Sequence, residues 1–383
     1  MLRKINLLTL LFFLFFIATT PLLAADEPQI TAQAAVLIDA DTGKLIYGKN
    51  HNEPRPPAST TKILTAILGI EKGNLDDVVD ISPRAAQTGE ASLNLIAGEK
   101  ITLENLLYGA LLKSGNDTCV AIAEHVAPTV EDFVKLMNLK AQLIGCNNSN
   151  FINTNGLPAK NHYSSAYDLA LIARYALKNP TFAKIVATPL YTVAWEASGR
   201  KRTIKNTNQL LTSYYGASGV KTGTTDAAGH CLIASASRDN RNLIAVVLKS
   251  HNRFNDARIL LDYGFDNYRN INLIEENRKI IVPDTITNRA IALYTGNNLQ
   301  VTIDTREKVD ITRELVLDWI KLRKKDDKDV LVGRIKYFNN NVEIGSVPLY
   351  LAEELETYEK PFFPFGIWQE IKGIIKKTRI INN

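Results

Sequence analysis

The sequence predicts an α+β chain, followed by a small all-β domain and a C-terminal amphipathic helix. Three observations carry this. Apolar residues recur at helical spacing in several stretches between Ser59 and Leu177, and strand-like runs bounded by turn residues flank that block. From about Asn270 the helical signal gives way to short β-branched runs. The 383 residues are 45% hydrophobic and 22% charged, an ordinary globular composition that excludes wholesale disorder, collagen-like repeats and a disulfide scaffold. At roughly 150 residues per domain, the length suggests two domains or three. The 45 basic and 40 acidic residues leave only +5, with no basic stripe interleaved with aromatics, so nucleic acid is not the expected partner.

Arg3 and Lys4 precede an apolar run, Ile5 to Ile17, and Ala24-Ala25-Asp26 follows it. This reads as a signal peptide over residues 1–25 and an exported protein; the alternative is an uncleaved anchor, for which the run is short of the ~20 residues of a span. Residues 33–48 read as a hairpin around Asp41-Thr42-Gly43. A helix opens at Ser59 and ends at Gly73. Thr102 starts a second, which stops at Ser114-Gly115, and Asn116 or Asp117 starts a third. Thr129 caps a helix closed by Gly145, and Ser165 with Asp168 forms a capping box for the next. Strands over 230–237 and 242–249 turn at Asp239-Asn240, and a helix over about 255–265 closes this block, residues 26–270.

Residues 271–360 form the β-rich domain, with strands at Ile280–Val282, Ala290–Leu293 and Val330–Val332; the mixed charge run Lys321 to Asp329 reads as a solvated hairpin tip. After Pro361 and Pro364, residues 361–383 place Ile367, Trp368, Ile371, Ile374 and Ile375 on one helical face and Lys372, Lys376, Lys377 and Arg379 on the other. That pattern suits a membrane interface, with docking on the protein body as the alternative. Cys119, Cys146 and Cys231 read as buried thiols, with a Cys119–Cys231 disulfide as the other reading.

Three motifs carry chemistry. Ser59-x-x-Lys62 at a helix start sets an amine one turn from a hydroxyl, where a desolvated lysine can take the serine proton. Ser198-x-x-Lys201 and Ser218-x-x-Lys221 share the spacing without opening an apolar helix, so one match alone is consistent with chance. Ser114-x-Asn116 sits at a turn between helices, where capping is the simpler explanation. Lys221-Thr222-Gly223, followed by Thr224, lies on a strand. There a lysine and a threonine can bind a carboxylate while glycine admits a substrate backbone; a plain strand edge is the bland alternative.

In this order, with Ser59 and Ser114 separated by 55 residues and Ser114 and Lys221 by 107, the motifs match the signature of penicillin-binding proteins and class A β-lactamases. The stretches PASTTKILTA from Pro57, LLKSGNDTCVAIAEH from Leu111, HYSSAYDLALIARYAL from His162 and GVKTGTTDAAG from Gly219 further resemble the low-molecular-weight penicillin-binding proteins, the serine-type D-alanyl-D-alanine carboxypeptidases. The resemblance implies a β-lactamase/transpeptidase-like domain, an antiparallel sheet flanked by helices. It implies Ser59 as nucleophile, Lys62 as its base, and Ser114 as proton relay to the leaving D-Ala. Asn116 would hold the substrate amide, Lys221 and Thr222 the terminal carboxylate on a strand opened by Gly223, and the Ser59 and Thr224 N–H groups the oxyanion. The implied partners are a peptidoglycan stem peptide ending in D-Ala-D-Ala and β-lactams, with no cofactor and no metal. A class A β-lactamase would carry Glu-x-x-Leu-Asn between the second and third motifs, and no glutamate here fits. A non-catalytic β-lactam sensor is the alternative from another class.

Overall fold

The computed structural model describes residues 27–195, 199–284, 289–323, 330–352 and 378–382. The segment expected to be a signal peptide, and residues 361–377 and 383 of the expected amphipathic tail, lie outside them. Strands β1 (Ala34–Asp39) and β2 (Leu45–Lys49) form the hairpin expected from Asp41-Thr42-Gly43. A 3-10 turn, Ala58–Thr61, then leads into α1 (Lys62–Lys72), which stops at Gly73. A short ribbon pairs β3 (Val78–Asp80) with β4 (Lys100–Thr102), on either side of the one-turn α2 (Pro83–Ala86).

The Thr102 hydroxyl caps α3 (Leu103–Tyr108), which widens into a π turn over Gly109–Lys113 before α4 (Asn116–Val126). Thr129 caps α5 (Val130–Ile144), and Gly145 closes it in the left-handed conformation favoured there by glycine. Ser165 caps α6 (Ala166–Leu177) by accepting from the Asp168 N–H. The reciprocal half of the expected capping box is absent: the Asp168 carboxylate instead accepts from Asn148 N–H and Ser149 Oγ. Helix α7 (Pro180–Ala187) and a hairpin of β5 (Leu190–Ala194) and β6 (Lys201–Lys205) follow, elements whose signals are too short to stand out in sequence.

After a turn of helix α8 (Leu210–Ser213), strands β7 (Ala217–Thr225), β8 (Gly229–Arg238) and β9 (Arg241–Ser250) complete an antiparallel five-stranded sheet in the order β2-β1-β9-β8-β7. Asp239 and Asn240 both take positive φ, as the two-residue turn between β8 and β9 requires. Alternation along these strands divides the core. Val36, Ile38, Ile233, Ile244 and Val246 face α1 and α3 to α7, whereas Leu37, Leu232, Leu243 and Val247 face α9 (Arg253–Asn267). A Cβ at Gly264 would come within 2.9 Å of side-chain carbons of Leu243 and Leu37, so glycine sets how closely α9 lies on the sheet. All three cysteines are buried and free; Cys119 and Cys231 are not bridged.

The β-rich part begins with β10 (Tyr268–Ile274). It continues as β11 (Lys279–Asp284), β12 (Arg289–Thr295), β13 (Leu299–Asp304), β14 (Ile311–Leu317), α10 (Trp319–Arg323), β15 (Leu331–Asn339) and β16 (Val342–Leu351), and ends at β17 (Thr378–Asn382). Strand β10 pairs with β13, and the larger sheet runs β11-β12-β16-β15-β14-β17. One expectation changes and one is refined here. The charge run from Lys321 lies in the connection of the antiparallel β14–β15 pair, where Lys321 sits in the short helix α10, whose first turn is capped by the Asp318 carboxylate; residues 324–329 of the run lie outside the described residues. Residues 378–382 form a strand parallel to β14, so the last five described residues do not continue the expected helix.

Candidate active site

The turn at Ala58–Thr61 is held tightly. Ala58 has φ +49°, Thr60 Oγ1 donates to the Pro57 carbonyl at 2.7 Å, and Gly156 packs so close that a Cβ there would meet the Ala58 carbonyl oxygen at 1.8 Å. One turn on, Lys62 is fully buried, and its Nζ lies 2.9 Å from Ser59 Oγ, 2.7 Å from Asn116 Oδ1 and 2.6 Å from the Asn155 carbonyl oxygen. Helical spacing accounts for the first contact; the other two bring distant chain segments onto the same amine.

The π turn over Gly109–Lys113 ends at Ser114 in the left-handed conformation (φ 66°), and Asn116 then opens α4. Asn116 is fixed at both ends: its N–H donates to the Ala91 carbonyl, and its Nδ2 donates to the Gly89 carbonyl at 2.9 Å, which leaves Oδ1 for Lys62. Ser92-Leu93-Asn94, which shares the Ser-x-Asn spacing, has a structural role, since Ser92 Oγ and the Leu93 and Leu95 N–H groups bind the buried Asp117 carboxylate.

Strand β7 closes the third side. A Cβ on Gly223 would lie 3.0 Å from Ser59 N and 3.1 Å from Ala58 Cβ, so the residue beside Ser59 must be small. Lys221 is almost fully buried and donates to the Thr222 carbonyl. Thr222 Oγ1 pairs with Thr207 Oγ1 at 2.7 Å. Arg253, at the start of α9, donates to the Gly223 carbonyl and to Thr224 Oγ1, both at 2.9 Å. The other Ser-x-x-Lys match on this strand is inert in the same sense, because Ser218 Oγ pairs with Ser235 Oγ.

Burial lowers the Lys62 ammonium from its usual range to about 8, against the opposing pull of Cys119, Asp117 and Glu90. Burial, then the neighbouring Lys62 charge, lowers Lys221 as well. Two buried ammonium groups this close disfavour double protonation, so the pair sheds a proton more readily than an exposed lysine.

Ser59, Lys62, Ser114, Asn116, Lys221, Thr222, Gly223 and Thr224 thus lie on three segments that Lys62 and the Ser59 turn bring together. Sequence reasoning missed Asn155, Thr207 and Arg253. Asn155 acts through its backbone carbonyl, which leaves no side-chain signal. Thr207 and Arg253 reach the motif only through the fold, 15 residues before Thr222 and 29 after Thr224.

The chain matches the peptidase S11 family model, described as D-alanyl-D-alanine carboxypeptidase, over residues 22–252, and the model of the penicillin-binding protein 5 C-terminal domain over residues 268–357. It is 35% identical to D-alanyl-D-alanine carboxypeptidase DacF of Bacillus subtilis, across 85% of this chain and 80% of that one. It is 30% identical to DacC of Escherichia coli, across 90% of each. Among solved structures it superposes on penicillin-binding protein 5 of Haemophilus influenzae with a TM-score of 0.73, at 28% identity, covering 86% of this chain and 98% of that one. On a mutant of the Streptomyces K15 DD-transpeptidase the TM-score is 0.61 at 35% identity, covering 63% and 100%. With the family model matched over more than half of the chain, this chain belongs to the peptidase S11 family of serine-type D-alanyl-D-alanine carboxypeptidases.

Proposed function

We propose that the protein removes the terminal D-Ala from peptidoglycan stem pentapeptides through an acyl-enzyme on Ser59, and that penicillin acylates the same serine. The observation that carries this is the set of three acceptors around Lys62 Nζ, at 2.6 to 2.9 Å. A neutral amine has two N–H bonds and one lone pair. With Asn116 Oδ1 and the Asn155 carbonyl taking the N–H bonds, the lone pair faces the Ser59 hydroxyl, the orientation a general base needs. Burial keeps that form accessible near pH 8.

In this reading the Ser59 proton passes to Lys62 Nζ as Oγ attacks the carbonyl of the penultimate D-Ala. The Ser59 and Thr224 N–H groups receive the oxyanion, where one donor is worth about 3 kcal/mol. Ser114 hands the proton taken up by Lys62 on to the departing D-Ala amine, and Asn116 holds the substrate amide. Lys221 and Thr222 bind the terminal carboxylate. Water then hydrolyses the Ser59 ester.

Two finer readings belong with this one. The protein works outside the cytoplasm, as its N-terminal segment and peptidoglycan substrate require. Residues 361–383 attach it to the membrane surface, on the support of their composition; truncation before Pro361 is expected to move it to the soluble fraction, and an unchanged distribution contradicts the attachment.

The test of function has two arms. Wild type is expected to release D-Ala from diacetyl-Lys-D-Ala-D-Ala and to gain one penicillin adduct by intact mass. Ser59→Ala is expected to lose both. An adduct surviving on Ser59→Ala removes the nucleophile assignment; an adduct without D-Ala release in wild type makes the protein a sensor.

A further inference from the structure

The Asn155 carbonyl belongs to a loop, Ile152–Gly156, whose outer side has little to pack against. Ile152, Asn153, Thr154 and Asn155 line a cavity of about 350 Å³ that they share with Arg84, Val120, Val130, Glu131 and Val134. Besides the close packing of Gly156 on Ala58, a set of hydrogen bonds holds the loop against the Lys62 helix. Thr65 Oγ1 donates to the Thr154 carbonyl at 2.6 Å, and Lys62 Nζ donates to Asn155. The third tie is a side chain. His162 Nδ1 accepts from the Ile152 N–H at 3.0 Å, and its Nε2 lies 3.0 Å from Thr61 Oγ1, with the ring edge-on to Phe151.

Because Nδ1 must accept, the proton of the neutral ring sits on Nε2, and Nε2 donates to Thr61. Thr61 immediately precedes Lys62 in the chain. The ring therefore spans the joint between the nucleophile turn and the loop that orients the base.

We infer that His162 is a positioning residue of the reaction: its ring ties Ile152 to Thr61 and so keeps the Asn155 carbonyl on Lys62. The inference rests on Lys62 being the base. If the loop slips, the neutral amine loses one of the two acceptors that aim its lone pair at Ser59, and acylation slows. The charged amine loses an acceptor too, so the Lys62 ammonium becomes more acidic. The other ionisable groups facing Lys62 are Lys221 on β7, Cys119 and Asp117 on α4, and Glu90 on the loop before β4; none of them touches the His162 ring.

This separates positioning from simple support. The experiment is the rate of penicillin acylation of the full chain from pH 6 to 9.5, counted per penicillin-titrated site, for wild type, His162→Asn and His162→Gln. An Asn amide oxygen falls close to Nδ1 and preserves the tie to Ile152; a Gln amide nitrogen falls close to Nε2 and preserves only the tie to Thr61. His162→Gln is expected to acylate about tenfold more slowly, with its acid limb at lower pH than wild type. His162→Asn keeps the other end of the bridge but cuts the tie to Thr61, so the same slower rate and displaced limb are expected of it. Equal loss in both variants with an unshifted limb, or no loss in either, overturns the inference. If His162→Gln does not fold, Thr61→Val cuts the same bridge from its other end and is expected to show the same displaced limb; an unmoved limb there overturns it. Failure of the underlying reading is visible separately, as unimpaired acylation in Lys62→Met.

Discussion

The two parts of this molecule bury different things. In the residues up to Asn267 the interior holds charged side chains, Asp39, Lys62, Asp117, Asp168, Lys221 and Asp256, along with a row of amides and hydroxyls. Among the described residues of the β-rich part, only Thr295 and Thr302 are buried polar groups, around a core of residues such as Val282, Leu293, Leu317, Val332, Val347 and Leu349. Burying a charge is costly unless it is well partnered. In the proposed mechanism the first part accepts that cost where the reaction needs a neutral amine beside a hydroxyl; the β core carries no such cost.

The contrast can be broken from either side. The largest effect is expected from Lys62→Met, which should slow penicillin acylation by roughly 10²- to 10⁴-fold, the usual contribution of a positioned general base. Its stability should change far less, because the cost of desolvating the amine disappears together with its hydrogen bonds; a collapse in melting temperature would show that the lysine serves the fold instead. Leu293→Ala is the mirror experiment. Leu293 is fully buried in the β core, so the substitution should cost about 2–5 kcal/mol, read as faster hydrogen exchange of the β12 and β16 amides, with acylation of Ser59 unchanged. Loss of acylation in that variant would mean that the two parts are coupled.

Smaller effects sharpen the picture. Thr222→Val removes a hydroxyl from the expected carboxylate site and strips Thr207 of its partner; it should raise KM for the peptide by about tenfold with a smaller change in kcat. An effect confined to kcat would move Thr222 from binding to chemistry. The smallest is a pH effect on stability. Burial lowers His162 to about 4, below the ~6.5 of an unfolded histidine, so the unfolded chain takes up this proton first. Stability from His162 is present above pH 6.5 and is lost as pH falls through that window toward 4; in His162→Asn the acid side of the stability curve should be flatter there.

Much of this was legible in the sequence, for physical reasons. Thr102, Thr129 and Ser165 cap helices because their hydroxyls answer orphan N–H groups, and Gly145 ends one because it takes a positive φ at little cost. Ser59 and Lys62 are one helical turn apart, so their contact is local. What stayed hidden is non-local or lies in the backbone. Nothing in the sequence near Asn155 indicates that its carbonyl will meet Lys62 across 93 positions, and the two-residue spacing of Ser114 and Asn116 does not reveal the π turn before them. Asp168 looked like the second half of a capping box and serves the 148–149 turn instead, because tertiary partners outbid the local one.

The central claim is that a buried, neutral Lys62 activates Ser59. The pH dependence of the second-order rate of Ser59 acylation by penicillin tests it most directly in the wild-type protein. The account predicts a rate that climbs as pH rises and levels off above an inflection near 8; a rate that is flat from pH 6 to 9.5 would contradict it.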